Sequence, residues 1–170
     1  MSLAMKQAIA GVMPAQSGEA TIMIVWPSIA ATPIGRLFGR MYGIKAGFSF
    51  LTVGNLIALA SIPVMLPLYA VRKLPFWVER YRLTNRRVIV ERGIHGRAQQ
   101  YVDLDRFDAI DVVVLAGQEW YPAGDLVFRR GPIETFRLRG VQRPETFRQT
   151  CLKAHHAYVG VRKAMELVSV

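Results

Sequence analysis

Four carboxylates, Asp103, Asp105, Asp108 and Asp111, crowd the run DLDRFDAID, a density of oxygen ligands that would suit a hard cation such as calcium. A helix–loop–helix calcium site needs glycine at its sixth position and an acid at its twelfth. Counted from Asp103, this chain has Asp108 and Val114 there. The acids therefore fit solvated strand ends and a turn cap better than a metal site. Cys151 and His155 stand four apart on an expected helix, with His156 next, so a thiolate and an imidazole can touch. No third ligand or orienting acid is near in sequence, and Cys151 lies on an apolar stripe, which makes it a packing residue. The chain holds no GxSxG, phosphate-loop, HExxH or dinucleotide fingerprint. No catalytic residue, metal ligand or cofactor is expected, and the chain does not read as an enzyme.

Basic side chains are the broader signal. There are 22 Lys and Arg against 12 Asp and Glu, a formal net charge of +10. Residues 1–45 carry four basic and one acidic side chain, residues 46–71 none, and residues 72–170 eighteen basic and eleven acidic. Arg72, Lys73, Arg80, Arg82, Arg86 and Arg87 follow the neutral block directly. Beside an anionic leaflet each would gain about 1 kcal/mol, so this group is the expected contact for lipid headgroups or a protein partner. Arg129, Arg130, Arg137 and Arg139 form a second group, expected across one hairpin. Nucleic acid is not an expected partner, because tethering at a bilayer would limit access to it.

These residues must be positioned by a membrane element and a folded domain. Ala46 to Val71 is 26 consecutive uncharged residues, AGFSFLTVGNLIALASIPVMLPLYAV, long enough to span a hydrocarbon core of ~30 Å with tilt or a kink at Pro63 and Pro67. Ala20 to Gly35 is a second apolar run, too short for a full span, and reads as a re-entrant or interfacial segment or half of a hairpin. Gly35, Gly39, Gly43 and Gly47, spaced by four, would form one bare ridge on a helix, open to close packing by another helix. Arg36, Arg40 and Lys45 precede the span and a larger basic group follows it, which places the C-terminal domain in the cytoplasm and leaves one span and a hairpin both open. The N-terminal segment, residues 1–18, lacks the pattern of a cleaved signal peptide and is expected to be retained.

Beyond Phe76–Trp77, an expected interface pair, the period becomes two. Leu83, Val88, Val90, Val102 and Leu104 alternate with polar neighbours, with turns at Asn85–Arg86 and at Gly93 to Gly96. Further strands are expected at Ile110 to Leu115, Leu126 to Arg129 and Thr135 to Leu138. From Pro144 the period becomes 3.6, with Phe147, Cys151, Ala154, Tyr158, Val161 and Met165 on one stripe of a helix. A composition 52% hydrophobic and 20% charged, with one cysteine, excludes disorder and a disulfide-stapled extracellular module. The pattern is one mainly antiparallel β domain closed by a helix, plus an appendage.

Residues 19 to about 158 resemble the membrane-anchored bacterial pleckstrin-homology (PH) domains. The likeness rests on YRLTNRRVIVERG (81–93), VDLDRFDAIDVVV (102–114), GDLVF (124–128), FRLRGVQRPETFRQ (136–149), and Glu19 with IVWPS (24–28). The resemblance implies an α+β, mainly β fold: a seven-stranded PH-like antiparallel barrel capped by a C-terminal helix and preceded by a transmembrane or hairpin membrane region. The division is then 19–75 for the anchoring region, with its main span at 46–71, and 76–170 for the cytoplasmic PH-like domain. It also implies that Asn85, Arg86 and Arg87 occupy the loop between the first two strands, where phosphoinositide-binding relatives carry basic ligands. The Lys before that loop and the Arg-x-Arg spacing after it are absent.

Two functions are compatible with these features. One is an interaction or scaffold module at the bacterial cytoplasmic (inner) membrane, binding a protein partner or anionic lipid headgroups. The other is a small fixed subunit or assembly factor of a large membrane complex, for which the resemblance admits photosynthetic complexes. The expected partners are membrane lipids and other membrane-protein subunits or a second copy of the chain.

Overall fold

The period-two run folds as three antiparallel strands, β4 (Glu79–Thr84), β5 (Arg87–Arg92) and β6 (Arg97–Asp103), in a computed structural model that describes residues 18–48, 51–73, 78–93 and 95–168. Tyr81 pairs with Val90, Leu83 with Val88 and Val88 with Val102, so these side chains fall on one face and are buried. A second antiparallel sheet contains β7 (Ala109–Val113), β8 (Ala123–Arg130) and β9 (Ile133–Gln142) in the order β7-β8-β9. It contributes Ile110, Leu126, Phe128, Leu138 and Val141 to the same core. Phe107 meets Phe128 edge-on at 4.9 Å, an arrangement that adds about 0.5–1.5 kcal/mol to area burial. Helix α4 (Pro144–Val168) closes this core with Phe147, Cys151 and Ala154, the expected stripe.

Sheet completion departs from the expectation. Strand β1 (Thr21–Val25) lies in the run assigned to the membrane, and pairs antiparallel with β4, Met23 opposite Leu83 and Val25 opposite Tyr81. The first sheet therefore has the order β1-β4-β5-β6 and the two sheets together supply seven strands. Beyond β1 the chain crosses to the second sheet, where Pro27 bridges to Val141 and the Ser28 amide donates to the Gly140 carbonyl at 2.7 Å. An α+β PH-like fold with two antiparallel sheets and a C-terminal helix results. Residues 21–25, expected within the membrane-anchoring region, instead use their backbone groups to extend the barrel.

Everything from Trp26 to Val78 is consequently an insertion between two paired strands. It contains a 3-10 turn (Ile29–Ala31), α1 (Pro33–Tyr42), a short hairpin of β2 (Gly47–Phe48) and β3 (Leu51–Thr52), α2 (Val53–Ala60) and α3 (Ile62–Lys73). The apolar block is not one kinked helix. Its first residues form the hairpin, and α2 and α3 meet at a bend of 57°. Pro63 explains the break, since its ring disfavours helical backbone at Ile62 and clashes with the carbonyl one turn back. Among the described residues no single helix is long and apolar enough to cross a membrane, although α2 and α3 together pass by length and composition.

Sheet pairing bears on the choice between one span and a hairpin. A single crossing within the insertion would put β1 and β4 on opposite sides of a bilayer, yet they are hydrogen-bonded neighbours. From Lys73 to Val78 five peptide steps reach at most about 18 Å, too little for a return crossing of ~30 Å. The main span expected at 46–71 is not one helix; within it α2 and α3 form the bent pair. The N-terminal segment 1–17 and the pair Phe76–Trp77 lie outside the described residues.

Candidate docking site on the helical insertion

Helix α1 starts at the Thr32 cap, whose hydroxyl accepts from the Gly35 amide at 3.1 Å, with Pro33 in the first turn. Gly35, Gly39 and Tyr42 are buried on one face, while Ile34, Leu37 and Met41 are exposed on another. A Cβ on Gly39 would collide with the Gly117 carbonyl oxygen and lie 2.9 Å from both the Gly117 carbonyl carbon and the Tyr121 ring. Gly117 adopts φ +92°, and a side chain there would strike the Arg36 carbonyl. Two glycines therefore let α1 cross the loop between β7 and β8 backbone to backbone, and Arg40 Nε donates to the Ala116 carbonyl at 3.2 Å. The four-residue glycine ridge does not exist as one surface. Gly43 is the C-cap of α1 and Gly47 sits in β2 at φ +128°, so Gly35 and Gly39 serve contacts within this chain.

The loop that receives α1 is held from beneath. Asp125 is buried and accepts from Gln118 Nε2 at 2.7 Å and from the Gly140 amide at 2.9 Å, while Gln118 Oε1 accepts from the Leu115 amide at 2.8 Å. Trp120 and Tyr121 project from this loop to Tyr42, with ring centroids 4.8 and 6.4 Å away. Together with α2 and α3 they bound an open apolar cavity of about 390 Å³ lined by Tyr42, Met65, Leu66, Tyr69, Trp120 and Tyr121 among others. Ser61 donates to the Ala58 carbonyl at 2.8 Å, which leaves its oxygen to accept from the Tyr42 hydroxyl. Burial, with a smaller contribution from Tyr42, pushes the Tyr121 phenol up to about 12. The sequence signal for this site is the adjacent aromatic pair Trp120–Tyr121 between the strands expected at Ile110 to Leu115 and Leu126 to Arg129.

Beyond the cavity the insertion is apolar on its outside. Phe48 is 92% exposed, Leu66 67% and Leu59 66%, and Leu51, Val53, Leu56, Ile62 and Val64 are exposed as well. Isolated exposed apolar residues are ordinary, but this concentration on one element of one domain marks a surface for contact with something apolar.

The basic group is less available than the sequence suggested. Glu91 is 1% exposed and accepts from Arg80 Nε and from Arg82 Nη2, each at 2.5 Å. Glu19 takes both Arg87 Nε at 2.8 Å and Nη2 at 2.5 Å. That pairing holds the Glu19 carboxyl below its ordinary range and raises the guanidinium of Arg87. Asn85 accepts from the Ala20 amide at 3.0 Å, and Thr84 Oγ1 accepts from the Arg87 amide at 3.0 Å. The run Leu83-Thr84-Asn85-Arg86-Arg87 thus fastens the start of β1 to the sheet. It joins the second and third strands of the barrel, not the first two as expected, because β1 precedes it; the first connection is the helical insertion. Arg86 is exposed and makes no ion pair among the described residues. Arg72 and Lys73 end α3, and their side chains lie outside the described positions. In the second group, Arg129 pairs with Asp111 at 2.6 Å and Arg137 with Glu134 at 2.8 Å.

The carboxylate run does not converge. Asp105 pairs with Arg162 at 2.6 Å, Asp108 accepts from the Gly131 amide at 2.9 Å and Asp111 faces Arg129. Among the described residues no group of three or more His, Cys, Asp or Glu could hold a metal ion. Cys151 is buried and burial raises its thiol pKa, while His155 Nδ1 lies 2.5 Å from the Leu104 carbonyl and its ring 5.1 Å from Phe107.

Two antiparallel sheets packed face to face, closed by one C-terminal helix, define a PH-like domain, a class of protein and lipid interaction modules that are generally non-enzymatic. The bacterial PH domain family matches residues 29–155, and the chain belongs to that family. No curated protein matches the chain, and no solved structure does.

Proposed function

We propose that this protein is a monotopic interaction module, attached to one leaflet of the bacterial cytoplasmic membrane by its helical insertion and presenting its barrel to a protein partner or to anionic headgroups on the cytoplasmic side. The observation that carries this reading is the exposed apolar surface of the hairpin, α2 and α3, on an insertion whose two ends return to neighbouring strands. Such a loop can dip into a leaflet and leave by the same face without breaking the sheet. Arg40 and Lys45 are exposed beside the apolar face of α1 and suit headgroup phosphates, at about 1 kcal/mol each.

Burying Phe48, Leu59 and Leu66 contributes roughly 2 kcal/mol per side chain. The full-length protein should therefore float with liposomes and stay bound in high salt, which screens charge but not burial. Replacing the three residues by Glu should release it. Flotation by the triple variant, or release of the wild type by salt alone, would overturn the reading. Co-purification of a stoichiometric membrane-protein subunit that covers the same face would instead favour a fixed subunit or assembly factor.

A further inference from the structure

Glu79 begins β4 on the same side of the strand as core residue Tyr81, and it is half-buried there without a hydrogen bond or ion pair among the described residues. It lines a cavity of about 380 Å³ at the junction of the insertion and the barrel, whose wall also holds Trp26 and Tyr69. From this we infer that the cavity binds an organic ammonium ion, with Glu79 as its counterion and the two aromatic side chains as its apolar walls.

The polar groups of the wall select a cation. The Ser28 amide donates to the Gly140 carbonyl, its carbonyl accepts from the Ala31 amide and its hydroxyl oxygen from the Ala30 amide, while the Val78 carbonyl accepts from the Gly93 amide. The Trp26 indole, the Tyr69 hydroxyl and the Gln142 amide are neutral, so among the described residues Glu79 alone gives the wall a full charge. Nearby cations leave it unpaired. Arg92 stands opposite Glu79 in the register, and Arg137 and Arg139 border a second hollow that reaches it, yet none forms an ion pair with it. Arg137 goes instead to Glu134 and Asp125. A carboxylate on the inward side of a strand is favoured by a cation that shares its hollow.

The neighbours decide which cation. A hard metal ion takes about six or more oxygen ligands, and this wall brings one carboxylate. Trp and Tyr rings instead attract alkylammonium groups and cover their methyls. At ~30 Å³ per water-sized group the cavity holds about a dozen such groups, room for a trimethylammonium and a two-carbon stem. Two sources carry this chemistry. Tyr69 belongs to α3, whose exposed apolar residues are assigned to the leaflet, so the headgroup nitrogen of a zwitterionic phospholipid is close at hand; a free ammonium solute carries the same group. Only the choice of source rests on the membrane-surface reading.

The test follows the Trp26 indole N–H resonance of the full-length protein in nonionic detergent, identified by its loss in Trp26→Phe. Tetramethylammonium chloride should shift it saturably, and sodium chloride at equal ionic strength should not. Glu79→Gln should weaken that binding about tenfold, the loss of one charged contact, and Tyr69→Leu about threefold. Glu119→Gln, at an exposed acid outside the cavity, should titrate like wild type. Absence of a saturable shift, or binding by Glu79→Gln as tight as wild type, would make the carboxylate a hydrated surface group and overturn the inference. Dihexanoylphosphatidylcholine binding more tightly than tetramethylammonium, with dihexanoylphosphatidylglycerol silent at this resonance, assigns the site to a lipid headgroup; binding of tetramethylammonium alone assigns it to a free solute. An equal shift by the two lipids would report their acyl chains and overturn the ammonium assignment. Liposome flotation of the same proteins reads attachment separately, so saturable ammonium binding without flotation keeps the site and removes the anchor.

Discussion

Replacing Gly39 with alanine tests whether α1 is docked on the barrel or is a free membrane helix. Gly39 lies mid-helix, where alanine is favoured over glycine by about 1 kcal/mol if nothing else touches the site. In this fold the added methyl collides with the Gly117 carbonyl oxygen and stands 2.9 Å from the Tyr121 ring. The Gly117 loop cannot simply retreat, because Gln118 is tied to buried Asp125 and through it to the Gly140 amide. Overpacking of this kind costs about 1–3 kcal/mol, and a backbone carbonyl that cannot retreat puts this site at the upper end, about 2–3 kcal/mol, so the net effect after the propensity gain is destabilisation by about 1–2 kcal/mol, or ~2–8 °C in Tm for a chain of this size. Gly43→Ala is the control. Its nearest neighbours are 3.4 and 3.6 Å away and its backbone is right-handed helical, so it should gain about 0.4–1 kcal/mol. Thermal unfolding in detergent, followed by Trp fluorescence, compares the two. Opposite signs are expected; stabilisation by Gly39→Ala would mean that α1 does not sit on the loop.

Other consequences follow from single groups. Glu91→Gln leaves Arg80 and Arg82 facing each other without their shared counterion, and since both side chains remain about a third exposed the loss should be about 1–3 kcal/mol by urea unfolding. Glu19 has a folded pKa below its unfolded one, so its pairing with Arg87 stabilises above the ordinary carboxylate range and is lost as pH falls through the folded value. Urea midpoints of wild type and Glu19→Gln should therefore differ at neutral pH and converge on acidification; a gap that widens in acid contradicts the assignment. Cys151 should resist iodoacetamide in the folded protein and react on unfolding, because its thiol is buried and its pKa raised. Labelling at the rate of a free thiol would place α4 away from the core.

The parts of this fold that were legible in the sequence are those where one face is buried and the opposite face is wet. The stripe of Phe147, Cys151 and Ala154 and the alternation of Leu83, Val88, Val90 and Val102 both report a single core. Strand β1 was illegible for the same reason. Its TIMIV is apolar at every position but the first and leads into Trp-Pro, and local composition cannot separate a strand that completes a barrel from a segment that meets lipid. The glycine spacing misled because it runs through a helix cap: Gly35 and Gly39 share a face, but α1 ends at Tyr42 and the repeat continues into a hairpin. The basic residues misled because charge was counted without partners. Glu91 looks like an outward residue of an alternating strand, and only the register that sets Arg80 opposite it, with Arg82 on the same face, shows where those cations are spent.

Placing a long apolar excursion between paired strands constrains how the domain can meet a membrane. A terminal anchor leaves a barrel free to tumble on its linker, whereas an insertion whose ends enter β1 and β4 would, in the proposed attachment, fix the barrel's height and orientation to the surface its helices enter. The Gly39–Gly117 crossing and the Arg40–Ala116 hydrogen bond stiffen that attachment at a third point, far in sequence from both strands. Orientation then decides which groups are presented. The insertion occupies the first inter-strand connection, and exposed Arg86 sits in the turn between β4 and β5, next to the Glu19–Arg87 pair that closes β1. A partner recognising the barrel would meet a surface held in one pose by backbone contacts that tolerate no side chain, and specificity would come from the exposed turn and strand residues, since the paired arginines are already committed to folding.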